Sequence, residues 1–319
     1  MGQNVVSRTS VVLLILIVPL SALMVATLFM EEGLFSSPEE VDEEIAHGEE
    51  IGRLNATIFK LGDVTDSSLT NVNLAIFDYF MAEKKPLTVG VIVEDFGNAA
   101  PHGIIYKKVK QGHDSGLFEM AIHGFSGGGT TYDQLDYETQ LKHFKFANTK
   151  LTKLLGSPSE IFAPPRNKFS ADTIRAMANS DPPISIISVG NQSDNITLNP
   201  YKLNSTYDTG KGIVGGISDV NGTKIYHVVH DISYLKFRTQ NYTGDSLQDV
   251  VVQRAQANIE KYGFAVVILH PTDFCVIDEA TGMCTNQVDP ERFKILTDTV
   301  DELESLGYGF AKMGDVVVR

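Results

Sequence analysis

Phe59-Lys-Leu-Gly-Asp63, Gly112-His-Asp-Ser-Gly-Leu-Phe-Glu-Met-Ala-Ile-His123-Gly, Phe162-Ala-Pro-Pro165 and Val266-Val-Ile-Leu-His270-Pro follow one another along the chain, and their order decides the fold. Each segment sets a polar group or a rigid turn just beyond a short apolar run. Apolar runs of this length read as buried strands. In parallel α/β folds the carboxyl ends of the strands share one face, so these groups are expected to converge on one rim.

Outward from these segments, short apolar strands alternate with amphipathic helical stretches. Strands are expected near 56–61, 87–93, 118–123, 160–163, 184–189, 225–232, 264–269 and 309–312. Helices are expected near 70–83, 101–111, 135–155, 170–179, 246–261 and 290–306. Such alternation predicts parallel βαβ units, and seven or eight of them predict a closed α/β barrel. The Gly-rich 190–224 stretch breaks the rhythm and reads as a surface excursion. A chain of 319 residues is long enough for one such domain, expected over 55–319.

The amino-terminal part has a different character. Residues 1–10 carry Arg8 and lead into Val11 to Met30, which holds no charged residue, and residues 31–54 form an acidic spacer without Lys or Arg before Arg53. An apolar run of that length matches the hydrocarbon core of a bilayer and exceeds the usual signal-peptide core. It reads as a transmembrane anchor, with a cleaved signal as the alternative. The basic residue on its amino side places the domain outside the cell membrane. Six asparagine sequons, at Asn55, Asn191, Asn195, Asn204, Asn221 and Asn241, agree with an extracytoplasmic site and possible glycan attachment. Cys275 and Cys284, the chain's two cysteines, are close enough in sequence to close a small disulfide ring in an oxidising compartment. A net charge of −14 argues against a nucleic-acid partner.

In order and spacing the four segments resemble the polysaccharide deacetylase family, the NodB-homology domain. The resemblance covers about residues 55–319 and implies a deformed (β/α) barrel that hydrolyses N-acetyl amides of carbohydrate, a non-peptide C–N bond. It further implies a divalent metal, zinc or similar, held by Asp63 and His123, and His270 as general acid. The chemistry would be metal-assisted: the ion polarises the carbonyl and activates water, a base takes the water's proton and an acid protonates the leaving amine. The third segment implies a substrate-contacting turn at Pro164, Pro165, Arg166 and Asn167. The implied partner is a cell-surface N-acetylated glycan, with the lipid bilayer contacting the N-terminal helix.

Three positions depart from the family pattern. Gly62 stands where the family has its base, Gly127 where it has a second metal-binding histidine, and Ala163 where it has an arginine. Asp66 and Glu94 are the candidates to replace the base, and each also reads as an ordinary polar residue of a turn or strand end. Glu94, Asp95, His227, His230 and Asp231 are the candidates for a third ligand. Two functions from different classes therefore stand side by side: a hydrolase that has kept part of its site, and a pseudoenzyme that binds surface glycan through the same rim.

Overall fold

The computed structural model describes residues 54–127, 130–190 and 215–317. The expected membrane segment, most of the acidic spacer and the sequons at Asn191, Asn195 and Asn204 lie outside the described residues. Among the described residues no helix is long and apolar enough to cross a membrane.

The parallel strands are β1 (Ala56–Val64), β2 (Leu87–Val91), β3 (Phe118–Ile122), β4 (Ile161–Phe162), β5 (Ile186–Gly190), β7 (Thr223–His230), β8 (Ile232–Ser233) and β9 (Phe264–Leu269). Pairing runs from β5 through β4, β3, β2 and β1 to β9. At one edge β7 pairs with β5, and at the other β8 pairs with β9. Only Asp231 separates β7 from β8. One nearly continuous strand thus joins both edges and closes a ring of seven strand positions. Short β12 (Gly309–Phe310) pairs with the start of β1 outside that ring.

The period-two alternation of β1 explains how the barrel fills. Phe59 and Leu61 point to the helix layer and join the large outer core, while Ala56 and Ile58 join an inner cluster with Val266, Ile268, Ile186 and Val228. The inner cluster includes Ala311, Met313 and Val316, so the chain's final turns cover the amino end of the barrel. There the Met313 amide donates to Thr88 Oγ1, and the Gly314 amide to Glu119 Oε2. The opposite, carboxyl end of the strands stays open.

Helices α1 (Thr70–Ala82), α2 (Ile104–Asp114), α3 (Tyr137–Leu155), α4 (Ala171–Ala178), α5 (Tyr234–Thr239), α6 (Gly244–Tyr262) and α7 (Pro290–Ser305) accompany the strands. Their ends follow local chemistry. The Asp136 side chain caps α3 by accepting from the Thr139 amide, and Gly156 ends it in the left-handed region at φ 89°. Asp289 caps α7 just before Pro290, a residue suited to the first helical turn.

Besides helix α5, which lies outside the expected helical stretches, two regions differ from the sequence expectation. Part of the expected excursion is strand β6 (Gly215–Val220), which forms an antiparallel hairpin with β7 through Asn221 and Gly222. After His270 the chain forms a two-stranded sheet of β10 (Cys275–Ile277) and β11 (Cys284–Val288), cross-linked by a Cys275–Cys284 disulfide with Cα atoms 5.5 Å apart. Asn71 at the start of α1 ties this sheet down by donating its amide to Asn286 Oδ1 and its side chain to the Asn286 carbonyl. The described sequon residues Asn55, Asn221 and Asn241 are all exposed and all have positive φ, which places their side chains at surface turns.

Candidate active site

Strand β1 loses register with β2 between Leu61 and Val64, and Asp63 sits in this irregularity with φ 57°. A bulge of this kind turns a side chain away from its regular position. Here it brings Asp63 to His123 at the end of β3, with Oδ1 and Nε2 3.1 Å apart. The His123 ring is fixed from its other side, where Nδ1 lies 2.8 Å from the Ala163 carbonyl. A carbonyl only accepts, so Nδ1 carries the proton and Nε2 faces the carboxylate. A lone pair and a carboxylate this close require a proton or another cation between them. The hydrogen bond to His123 holds the Asp63 carboxyl below its ordinary value, against the opposing effect of burial.

His270 follows β9 and is oriented by the turn after it. Its amide donates to Asp273 Oδ2 at 2.8 Å, and its Nδ1 lies 3.6 Å from the same oxygen. Asp273 is buried and is gripped by Arg238, which donates from Nη2 to Oδ1 and from Nη1 to the Asp273 carbonyl. Gly62 lies between the two imidazoles. A Cβ added there would sit 3.4 Å from His123 Nε2 and 3.6 Å from His270 Nε2. The missing side chain at Gly62 leaves the space that both rings face.

These residues line one cavity of about 780 Å³ at the carboxyl end of the barrel, together with Pro164, Pro165, Arg166 and Asn167. The structure thus gathers Asp63, His123, His270 and the third-segment turn in one place. It does not bring in Asp66 or Glu94. Asp66 accepts the Gly97 amide through Oδ1 and the Ala99 amide through Oδ2, which makes it the clamp of a neighbouring loop. Glu94 is exposed and absent from the cavity wall. The short polar loop after each strand offered several carboxylates at similar spacing, and only backbone geometry decides which of them turns inward.

Of the proposed third ligands, Asp231 and His230 line the cavity, whereas His227 is buried against Ser218, Nε2 to Oγ 2.9 Å. Asp231 Oδ1 accepts from Asn258. His230 Nε2 is buried without a hydrogen-bond partner, and burial holds this ring well below its usual proton affinity. Gly127 lines the cavity with open space around it and supplies no donor. A catalytic zinc ordinarily takes three protein ligands. Among the described residues no group of three histidine, cysteine or carboxylate side chains is placed to hold a metal. His123 and Asp63 offer two converging donors, and the donor set does not fit a tightly held catalytic ion.

Lys60, which the sequence reading missed, also lines the cavity. It follows Ala56 and Ile58 on the inward face of β1, two residues below Gly62, and is 3% exposed. Its Nζ donates to Ser188 Oγ on β5 at 3.0 Å. Burial lowers its pKa to about 7, with Asp63 acting in the opposite direction. The signal was present: a lysine in the inward phase of an alternating strand must end inside the barrel.

No protein-family model and no curated protein matches this sequence. Solved structures do match. A putative polysaccharide deacetylase from Mycobacterium smegmatis aligns with a TM-score of 0.54 at 13% identity, over 83% of this chain and 90% of that one. The Bc1960 peptidoglycan N-acetylglucosamine deacetylase, solved with a hydroxamate-type benzamide ligand, aligns with a TM-score of 0.52 at 10% identity, over 84% of this chain and 91% of that one. The barrel described here, with its seven-position ring, is the polysaccharide deacetylase fold in a highly divergent sequence.

Proposed function

We propose that the domain hydrolyses N-acetyl amides of a cell-surface carbohydrate, with His270 as general acid and Lys60 as the group that takes the proton from the attacking water. The observation that carries this reading is the convergence of His123 and His270 on the empty space at Gly62, above Lys60, in one cavity. Amide hydrolysis needs an acid for the leaving nitrogen and a base for the water. His270 is a half-buried imidazole at the cavity wall, and Asp273 holds its backbone amide. A lysine of pKa about 7 is largely able to accept a proton just above neutrality, and it replaces the carboxylate absent from position 62. Asp63 and His123, held together at 3.1 Å, form the wall against which the acyl group is placed. No step runs through a metal. The apolar run at 11–30 supports display of the domain at the outer face of a membrane.

The test is acetate release from N-acetylglucosamine oligomers by the purified domain, with and without added divalent ions. His270→Ala should abolish turnover while oligomer binding persists, because a general acid acts mainly in the transition state. A second reading, glycan binding without hydrolysis, is favoured by the incomplete donor set around Gly127 and the glycine at 62. Oligomer binding without acetate release under any condition would select it.

A further inference from the structure

The cavity wall carries a charge pattern unlike the rest of this acidic chain. Its two carboxylates are both engaged internally, Asp63 with His123 Nε2 and Asp231 with Asn258. Its two cations at the mouth, Arg166 and Lys236, have no acidic partner among the described residues. Some cations elsewhere are paired, as Lys85 is with Glu304, Lys108 with Asp78 and Arg175 with Asp172, and what distinguishes Arg166 and Lys236 is that both line one cavity. In a chain of net charge −14, two free cations facing one cavity leave a local positive field that a ligand can use.

The backbone holds one of these cations in a costly conformation. Arg166 has φ 55° and ψ 20°, and Asn167 follows at φ 57°, two consecutive non-glycine residues in the left-handed region. The surroundings enforce this turn. Asn167 Oδ1 accepts the Gly190 amide at 3.0 Å, and Pro165 fills the space above Gly124, where a Cβ would meet Pro165 Cγ at 2.6 Å. Backbone strain at a ligand-facing residue is a recurrent mark of function, and the guanidinium it presents suits two-point recognition of an oxyanion.

We infer that the cavity recognises a carbohydrate bearing an oxyanion, a uronate carboxylate or a sugar phosphate, through Arg166 and Lys236. This inference rests on the carbohydrate reading above and narrows it to acidic glycans. A neutral N-acetylated oligomer would leave both cations without a counter-charge.

Titration calorimetry on the full chain tests it with three probes: hyaluronan tetrasaccharide, which alternates uronate with N-acetylglucosamine, N-acetylglucosamine 6-phosphate, and neutral chitotetraose. The acidic tetrasaccharide or the phosphate should bind at least tenfold more tightly than chitotetraose at low ionic strength. The advantage should shrink severalfold in 0.5 M salt, roughly a 4 Å Debye length. Whichever acidic probe wins identifies the oxyanion. Arg166→Gln and Lys236→Gln should each lower the ratio of acidic to neutral affinity at least fivefold. Arg166→Gly, which suits the left-handed backbone, should lower that ratio equally while the melting temperature stays level or rises. Equal affinities for acidic and neutral probes, or an affinity ratio untouched by all three variants, would overturn the inference while leaving the carbohydrate reading intact. Binding of none of the probes would overturn both.

Discussion

Lys60 Nζ donates a hydrogen bond of 3.0 Å to Ser188 Oγ, linking β1 to β5 through the inside of the barrel. One hydroxyl is little compensation for an ammonium taken out of water. The lowering of its pKa from 10.5 to about 7 expresses that cost, on the order of 5 kcal/mol. A group this costly to keep protonated is retained where it is used.

Lys60→Met should therefore stabilise the domain at neutral pH, by about 2–4 kcal/mol after allowing for the unpaired Ser188 hydroxyl. The pH dependence identifies the cause. Between pH 7 and 10.5 the unfolded lysine is protonated and the folded one is not, so wild-type stability rises with pH through that window. Below pH 7 both states are protonated and the full cost applies. The advantage of the methionine variant in urea unfolding should thus be largest below pH 7 and fade toward pH 10.5. A variant less stable than wild type at every pH would refute this account. The same substitution should remove acetate release, giving opposite signs for stability and activity.

Acid should weaken the fold through His227. Burial lowers its pKa to about 4, and the buried His230 is displaced in the same direction. Between pH 6.5 and 4 the unfolded histidine takes up a proton that the folded one refuses, so stability falls as pH drops through this window, by about 3 kcal/mol for His227. His227→Gln, which keeps a partner for Ser218, should lose less stability than wild type between pH 7 and pH 4.5. Parallel losses in the two proteins would show that other groups carry the acid response.

Opening the Cys275–Cys284 bridge should have a local effect. The bond closes a short loop, worth below about 3 kcal/mol by chain entropy, and it lies in a two-stranded sheet separate from the barrel ring. The double serine variant should melt several degrees lower with an unchanged far-ultraviolet spectrum. Loss of the helical signal at room temperature would mean that the β10–β11 sheet supports the barrel itself.

The barrel was legible because its strands are apolar runs separated by helices of regular period, and the ends of the runs at Asp63, His123 and His270 marked the open face. What escaped the sequence reading depends on coordinates that no spacing encodes. The closure of the ring rests on a single residue, Asp231, between two strands that read as one. Asp273 and Arg238 meet across 35 positions to steady His270. Asp66 and Lys60 show the two kinds of miss: the carboxylate was near in sequence but turned to the Gly97 and Ala99 amides, and the lysine was hidden within an apolar strand whose phase alone revealed its direction.

The two glycines of the site give the final prediction. An added Cβ meets nothing within 4 Å at Gly127 and makes only ordinary contacts with His123 and His270 at Gly62, so a Cβ at either position displaces no neighbour. Gly127→His adds an imidazole on the wall that already holds Asp63 and His123, and three donors are what a catalytic zinc ordinarily requires. Gly62→Asp places a carboxylate directly above Lys60, where it returns a base to the position the family pattern assigns and raises the lysine's proton affinity. Zinc titration followed by calorimetry should find affinity improved at least tenfold by Gly127→His alone. The double variant should release acetate from N-acetylglucosamine oligomers faster than wild type in the presence of zinc. Improved zinc affinity without faster release would place the limitation in the base or in substrate fit. No improvement in zinc affinity, with the fold intact, would mean that Asp63 and His123 serve as a proton-sharing pair and not as the remains of a metal site.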